Sequence, residues 1–439
     1  MSINTLSDRT AADPTTLPRL LVTGGVAGAT VNLRTHRSLH GDLELPALVR
    51  GGNAELRKVV AAAGLRGRGG AGFPSAGKMN AVAAAGKRSV VVANASEGEP
   101  ASRKDQVLLR TAPHLVLDGI QIGAMAVGAT DAFLYLHRRS PARAIVERAL
   151  AERVDDKVPV TIVAAPERYV AGEETALVNL IDGGPAKPKY VPPRPFEKGV
   201  GGRPTLIQNA ETLAHLALIA SHGSEWFRGL GTPEDPGSSL VTVSGAVATR
   251  GVAEIALGTT LRQLTTALGG TTGTPTAVLL GGYYGGWRTA ESIWDVPLGH
   301  ASLRSAGASF GAGIIAVIDE STCGLAETSR ILRYFANESA QQCGPCLNGL
   351  PAIASAFESL THGRDRKSAN QTINRLQRWI GLVSKRGACA MPDGAAQLAR
   401  SALETFASEI DAHVRRGPCR ATGTALLPVS SAPGRDGWS

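Results

Sequence analysis

Five cysteines carry the first chemical signal in this sequence: Cys323, Cys343, Cys346, Cys389 and Cys419, all within the last 117 of 439 residues. A secreted disulfide scaffold spreads a higher cysteine density over a shorter chain, so crowding at one end points to a metal centre there. Cys343-Gly-Pro-Cys346 has the spacing that lets two thiolates meet one centre, and 42 residues separate Cys346 from Cys389. Thiolates are the ligands of an iron–sulfur cluster, which normally takes four. The Cys-x2-Cys pair alone also suits structural zinc.

A second signal is the glycine-rich loop Gly64–Lys78, GLRGRGGAGFPSAGK, which also holds Arg66 and Arg68. Glycines let backbone N–H groups approach a ligand and adopt positive φ, and successive N–H groups make an anion-binding concavity. The chemistry this suits is a bound phosphate or flavin. No Ser or Thr follows Gly77-Lys78, so the loop is not a Walker A motif, and the helical pattern before it excludes a strand-borne GxGxxG. A flexible surface loop is the plain alternative. The third signal is the turn Ala95–Pro100, ASEGEP, directly after the apolar run Ser89–Asn94. Open α/β sheets bind ligands just beyond the carboxyl ends of their strands. Asn94, Ser96, Glu97 and Glu99 stand there, with side chains able to meet ribityl or ribose hydroxyls. An ordinary solvated turn is the alternative.

The elements that must position these residues follow from periodicity. A helix is expected over Leu48–Ala63, strands over Ser89–Asn94, Ala132–His137 and Pro159–Ala165, and helices over about Asp105–Ala126, Pro141–Glu152 and Gly172–Gly183. Strands alternating with helices imply a parallel sheet covered on both faces. A long Pro/Gly/Lys-rich loop fills 183–205, a helix follows near Asn209–Ser221, and GTPEDPGSS (Gly231–Ser239) marks a boundary. Beyond it, strands at Leu240–Val247, Val252–Ile255 and Ala277–Gly281 with a helix at Thr260–Leu268 suggest a small α+β module of β-grasp type. Helical patterns at Ala326–Ser339, Leu350–Leu360, Asn370–Val383 and Gly394–His413 suggest an antiparallel four-helix bundle.

Taken in order, GLRGRGGAGFPSAGK, ANASEGEPASRKD, AGEETALVNLIDG and RPTLIQNAETL resemble the flavin-binding subunit of respiratory complex I and the diaphorase subunits related to it. The resemblance spans about residues 48–415. It implies an N-terminal arm (1–47), an FMN- and NAD-binding Rossmann-like domain (48–235), a β-grasp, SLBB-like module (236–322), a four-helix iron–sulfur bundle (323–415) and a disordered tail (416–439). It implies that Gly67, Arg68, Gly69, Gly70, Lys78, Asn94, Glu97, Asn209 and Thr212 line FMN, and that Phe73, Glu99, Glu174 and Arg194 face the nicotinamide nucleotide. Hydride then passes from nicotinamide to flavin with no protein acid or base, the protein positioning and tuning the cofactor. Cys343, Cys346 and Cys389 match three of the four cluster cysteines.

Several positions depart from the family pattern. Ser96 stands where the acidic turn usually has Asp, and Gln208 where the phosphate-end motif has a first Asn. Val191-Pro192-Pro193-Arg194-Pro195 replaces Lys-Pro-Pro-Phe-Pro, and Arg194 is able to stack on adenine or meet a phosphate. This loop favours a rival reading, a flavin and iron–sulfur electron conduit or assembly subunit that does not bind NAD(H), which Glu99 and Glu174 oppose. Ala340 stands where the first cluster cysteine is expected. A fourteen-residue helix spans about 21 Å, so Cys323 falls at the other end of the bundle and is disfavoured as the fourth ligand. Water, hydroxide, Gln341 or Gln342 at the fourth iron, a 3Fe–4S cluster, or no cluster remain open.

The formal net charge is +9 with few aromatic residues, and no basic stretch is interleaved with rings for base stacking, so nucleic acid is not expected as a partner. With no second cluster motif, the electron acceptor must be a separate iron–sulfur protein. A ferredoxin or a thioredoxin-like 2Fe–2S subunit in a hetero-oligomer fits, an acidic one best. No run of about 18 apolar residues predicts a membrane span, and the N-terminus lacks the apolar core of a signal peptide. A cytoplasmic protein is expected.

Overall fold

The computed structural model describes residues 17–22, 29–41, 52–86, 88–363, 365–423, 425–429 and 437–438. Its first sheet is parallel throughout, in the order β3-β2-β1-β4, with β1 at Ser89–Asn94, β2 at Ala129–His137, β3 at Val160–Ala165 and β4 at Thr205–Asn209. Val90, Val91 and Val92 are fully buried, as an unbroken apolar run must be in a central parallel strand with helices on both faces. The chain runs outward from β1 through β2 to β3, then returns to place β4 on the other side of β1. That reversal opens a crevice at the carboxyl ends of β1 and β4, the switch point where doubly wound sheets bind ligands.

The helices Pro113–Val127 and Ala210–Arg228 pack against each other beneath this sheet. Gly119 makes the approach possible, because a Cβ there would collide with the carbonyl of Leu213. The helix expected over Asp105–Ala126 is two, Lys104–Thr111 and Pro113–Val127. Pro113 opens the second, a position where its missing N–H costs nothing. The helix expected from Gly172 begins at Glu174, because Glu173 caps it by accepting from the N–H groups of Thr175 and Ala176. The helix expected from Leu48 is described from Asn53 to Ala63, its earlier residues lying outside the described ones. Strand β4 closes the stretch expected to be a loop. Five residues are too few to show a period.

A second, mixed sheet has the order β6-β5-β9-β7-β8, with β5 at Ser238–Gly245, β6 at Gly251–Ala256, β7 at Pro275–Leu280, β8 at Gly286–Thr289 and β9 at Ile314–Asp319. The periodicity points to neither β8 nor the central β9. The C-terminal region packs the helices Gly324–Glu338, Leu350–His362, Arg366–Val383, Met391–Thr405 and Ala407–Arg416. The single helix expected over Gly394–His413 breaks at Phe406, whose ring lies on Gly324 and meets Trp287 edge-on at 5.2 Å.

The expected disordered tail is in part packed. Leu427 is buried, and the N–H groups of Leu426 and Leu427 donate to the Glu327 carboxylate at 2.8 and 2.9 Å. The expected arm carries a helix at Leu33–His40, tied by His36 to Asp118 at 2.7 Å. Among the described residues no helix is long and apolar enough to cross a membrane.

Gly119→Ala is expected to destabilise the protein by about 1–3 kcal/mol, the usual cost of forcing atoms into a packed interface. Urea unfolding of the two proteins checks it.

Candidate functional site

Asn94 and Asn209 end β1 and β4 and are register partners, so both side chains stand at the switch point. Asn209 caps the helix Ala210–Arg228 through the N–H of Glu211 and donates to Asp105 at 2.6 Å. Asn94 donates to the carbonyl of Gly172 at 2.8 Å, which ties the start of the Glu174–Ile181 helix to the crevice. The glycine loop folds over this point. It closes on itself through Gly67 N–H to the carbonyl of Phe73, and the N–H of Arg68 donates to Thr212 Oγ1 at 2.8 Å. A Cβ on Gly69 would come within 3.2 Å of Asn209 Cβ, and one on Gly72 within 2.6 Å of the His300 ring. Gly70 has φ +118°, open to glycine alone. The loop thus lies against a helix N-terminus, where N–H groups and helix dipole favour an anion.

Two of the expected flavin residues point elsewhere. The Arg68 guanidinium is buried, donating to the carbonyl of Ser238 at 2.9 Å with Nε 3.8 Å from Glu211. The Glu97 carboxylate accepts from Ser102 Oγ and from the N–H groups of Asp105 and Gln106. It pins the acidic turn onto the next helix. Burial, with Asp105 nearby, pushes its pKa up to about 7.

Lys78 lies 3.2 Å from Glu174, and Arg194 lies 3.7 Å from the other oxygen of that carboxylate. Phe73 is half exposed, its ring over Gly77. These four gather on one rim of the crevice. Glu99 stands apart from them. It accepts from Tyr169 Oη at 2.7 Å and from the N–H of Tyr283 at 2.9 Å, and loss of solvation pushes its pKa up to about 7. Tyr169 in turn meets Tyr284, Tyr334 and Phe335, so aromatic rings run from Glu99 toward the cysteines. A cavity of about 490 Å³ lies beyond the acidic turn, lined by Glu97, Glu99, His137, Arg139, Glu167 and Tyr169 among others. No glycine-loop residue borders it, but Ala95, Glu97 and Glu99 of the turn after β1 do.

The sequence reading missed Lys104 and Glu211. Lys104 Nζ, buried, donates to Asp105, Asn209 and Glu211 at 2.9, 3.2 and 2.7 Å. Burial alone would raise the pKa of Glu211 and lower that of Lys104, but their pairing reverses both shifts. Glu211 also accepts from Ser239 Oγ and the N–H of Leu240, in β5. An acidic residue two after an N-capping Asn reads as an exposed first-turn charge. Its burial depends on the second sheet.

Cys343, Cys346 and Cys389 come together: beyond burial, Cys343 and Cys389 both help to raise the Cys346 thiol, and Cys343 helps to raise that of Cys389. Burial pushes the Cys389 thiol up to about 11, and raises Cys346 further. The N–H of Gln341 donates to the Cys346 sulfur and that of Met391 to Cys389, the kind of contact that tunes an iron–sulfur cluster. No His, Asp or Glu joins these three thiols in a compact single-ion site among the described residues. Three soft thiols from two separate segments are the donor type of a cluster, whose thiolate ligands sit at its corners. Ala340 is buried and offers no ligand. Cys323 caps the start of the Gly324–Glu338 helix, the end remote from Ala340.

A doubly wound sheet with an anion-binding loop at its switch point, joined to a three-thiol centre, defines a nucleotide-cofactor redox protein. Comparison with known proteins makes this specific. Residues 60–218 match the Nuo51 FMN-binding domain, and residues 319–413 the NADH-ubiquinone oxidoreductase-F iron–sulfur binding region. The F 2 subunit of NADH-quinone oxidoreductase in Rhizobium meliloti is 34% identical over 382 residues, 83% of this chain and 90% of that one. The HndC subunit of the NADP-reducing hydrogenase of Solidesulfovibrio fructosivorans is 29% identical over 87% of this chain and 81% of that one. The crystal structure of an NAD+-reducing NiFe hydrogenase in its H2-reduced state superposes with a TM-score of 0.75 at 32% identity, covering 83% of this chain and 63% of that chain. The chain belongs to the family of the FMN- and iron–sulfur-binding F subunits of NADH-quinone oxidoreductase. It is an NADH-oxidising flavoprotein subunit with FMN and a 4Fe–4S cluster as its cofactors.

Two outcomes follow from this geometry. Lys104→Met leaves Glu211 and Asp105 buried without their cation and is expected to cost about 3–5 kcal/mol, readable in a denaturant titration. Glu99 carries a folded-state pKa of about 7, above that of the unfolded chain. Its protonated form is therefore favoured on folding, so stability is level below the unfolded pKa and falls as pH rises through 7. Glu99→Gln is expected to shrink that fall, seen as a smaller Tm difference between about pH 5 and pH 8.

Proposed function

We propose that Gly67, Gly69, Gly70, the backbone of Arg68, Lys78, Asn94, Asn209 and Thr212 hold FMN at the switch point, with its phosphate toward the start of the Ala210–Arg228 helix. The observation that carries this is the glycine loop closing over the carboxyl ends of β1 and β4, with Gly69 against Asn209. FMN, when bound, accepts hydride from NADH and releases the two electrons singly. The chain's own part is binding and exclusion. Phe73 offers a ring to the nicotinamide, Glu174 and Glu99 accept from its amide and ribose hydroxyls, and Arg194 meets the adenine end. Glu174, already paired with Lys78 and Arg194, holds all three groups in register. Glu97 supports the site from behind as a positioning residue.

In this reading residues 48–235 form the cofactor-binding unit, 236–322 a β-grasp module of SLBB type, and 323–415 an antiparallel bundle around the cluster. The mixed second sheet and the packed C-terminal helices support it. Cys343, Cys346 and Cys389 hold three corners of the cluster, and a non-thiolate ligand the fourth. The outlet is a separate iron–sulfur protein, a ferredoxin or a thioredoxin-like 2Fe–2S subunit, in a cytoplasmic hetero-oligomer.

Anaerobic addition of NADH to the purified protein tests this, and bleaching of the flavin absorbance within seconds is expected. Flavin that stays oxidised would shift the reading to an electron conduit. Gly69→Ala is expected to abolish flavin retention while leaving far-ultraviolet circular dichroism unchanged. Arg194→Ala is expected to keep FMN and raise KM for NADH about tenfold, the equivalent of about 1.4 kcal/mol.

A further inference from the structure

Cys323, Glu409, His413 and Cys419 form a second, separate cluster of ligand-type side chains. One ligand atom from each lies within 4.8 Å of all the others. They converge from three places in the chain. Cys323 follows β9 and caps the Gly324–Glu338 helix. Glu409 and His413 stand one turn apart on the helix Ala407–Arg416, and Cys419 lies just past that helix's end. Cys323 Sγ is 2.9 Å from Glu409 Oε1 and 3.9 Å from His413 Nε2, and Glu409 Oε1 is 3.9 Å from that nitrogen. Neighbouring ligands of a tetrahedral zinc, with bonds of about 2.0–2.3 Å, stand about 3.3–3.8 Å apart. The edges of this cluster bracket that value.

The surroundings are those of a metal-binding histidine. His413 is buried, and its Nδ1 lies 2.8 Å from the carbonyl of Thr361, which can only accept. Nδ1 therefore carries the proton, the tautomer that a backbone carbonyl imposes on histidine ligands of zinc, and Nε2, 3.9 Å from the Cys323 sulfur, accepts from the N–H of Cys419 at 3.3 Å, a contact that a bound ion would replace. Thr422 Oγ1 lies 3.8 Å from the Cys323 sulfur and 3.5 Å from that of Cys419. Cys323 is buried and Cys419 exposed, which leaves an entry path on one side.

We propose that Cys323, Glu409, His413 and Cys419 bind one structural zinc ion at the end of the helical region remote from the iron–sulfur cysteines. On binding, each thiol releases its proton to solvent and each thiolate forms one bond to zinc. The ion clamps the chain after Arg416 onto the start of the Gly324–Glu338 helix. Its ligand set, two thiolates with one imidazole and one carboxylate, fills all four tetrahedral positions, so the site is closed rather than catalytic. It lies outside the electron route and is independent of which nucleotide the flavin site takes.

The test uses the full chain with flavin and cluster in place, purified anaerobically without chelator. Elemental analysis is expected to find about one zinc per chain beside the iron, and zinc-edge X-ray absorption a mixed shell with sulfur at about 2.3 Å and nitrogen or oxygen at about 2.0 Å. Cys419→Ser changes an exposed residue and is expected to fold, losing zinc at least tenfold while keeping iron and flavin. His413→Ala is expected to do the same. Three results would overturn the proposal: zinc-free protein that also fails to take up one equivalent of Zn2+ in competition with a chromophoric chelator; zinc retained in both variants; or a Cys323–Cys419 disulfide in the anaerobic protein, found by mass spectrometry.

Discussion

The carboxylate of Glu211 is the point on which the arrangement of this protein turns. It has no exposure to solvent, and a charge so placed survives only with partners. Its partners come from four separated segments: Lys104 after the acidic turn, Arg68 in the glycine loop, His215 on its own helix, and Ser239 with Leu240 in the second sheet. Each contact fixes a part of the crevice that local structure alone leaves free. Lys104 also reaches Asn209, so the residue capping the helix and the cation neutralising that helix's first turn are held in one network.

That network explains a division of labour within the glycine loop. The cation at Arg68 serves the interior, reaching the carbonyl of Ser238, while its N–H, held by Thr212, and that of Gly67, held by Phe73, fix the loop's shape. A loop so anchored is preorganised, because its N–H groups need not be gathered when the ligand arrives. The acidic turn is treated likewise. Glu97 is consumed in holding the turn onto the Lys104–Thr111 helix, and Glu99 is held by two tyrosines that border the helical region.

The helical region has two chemically different ends. At one, three thiols sit among N–H donors and aromatic rings with no carboxylate in a compact set, a setting for a polynuclear centre. At the other, two thiols meet an imidazole and a carboxylate at single-ion spacing. The helix Gly324–Glu338 separates them by its length, about 22 Å at 1.5 Å per residue. Cysteine count alone makes the five thiols one group, and helix geometry divides them.

What the sequence determined by itself is the local chemistry and the order of its parts. The buried strand Ser89–Asn94, the glycine loop, the acidic turn, Asn209 and the Cys343–Cys346 pair are all legible, because apolar runs, glycine clusters and ligand spacing act over a few residues. So is the parallel sheet, since strands alternating with helices admit little else. Tertiary structure decided which side chains face the crevice and which serve the interior. Arg68 reads as a ligand contact and is packed inward, Glu97 reads as one and is spent on holding the acidic turn, while Lys104 and Glu211 read as ordinary charges and are buried together. It also decided that Cys323 and Cys419, 96 positions apart, meet across the ends of two helices. The physical reason is range. Propensity and spacing are set by neighbours in the chain, whereas the burial of a charge or the meeting of ligands depends on segments that only the folded core brings together.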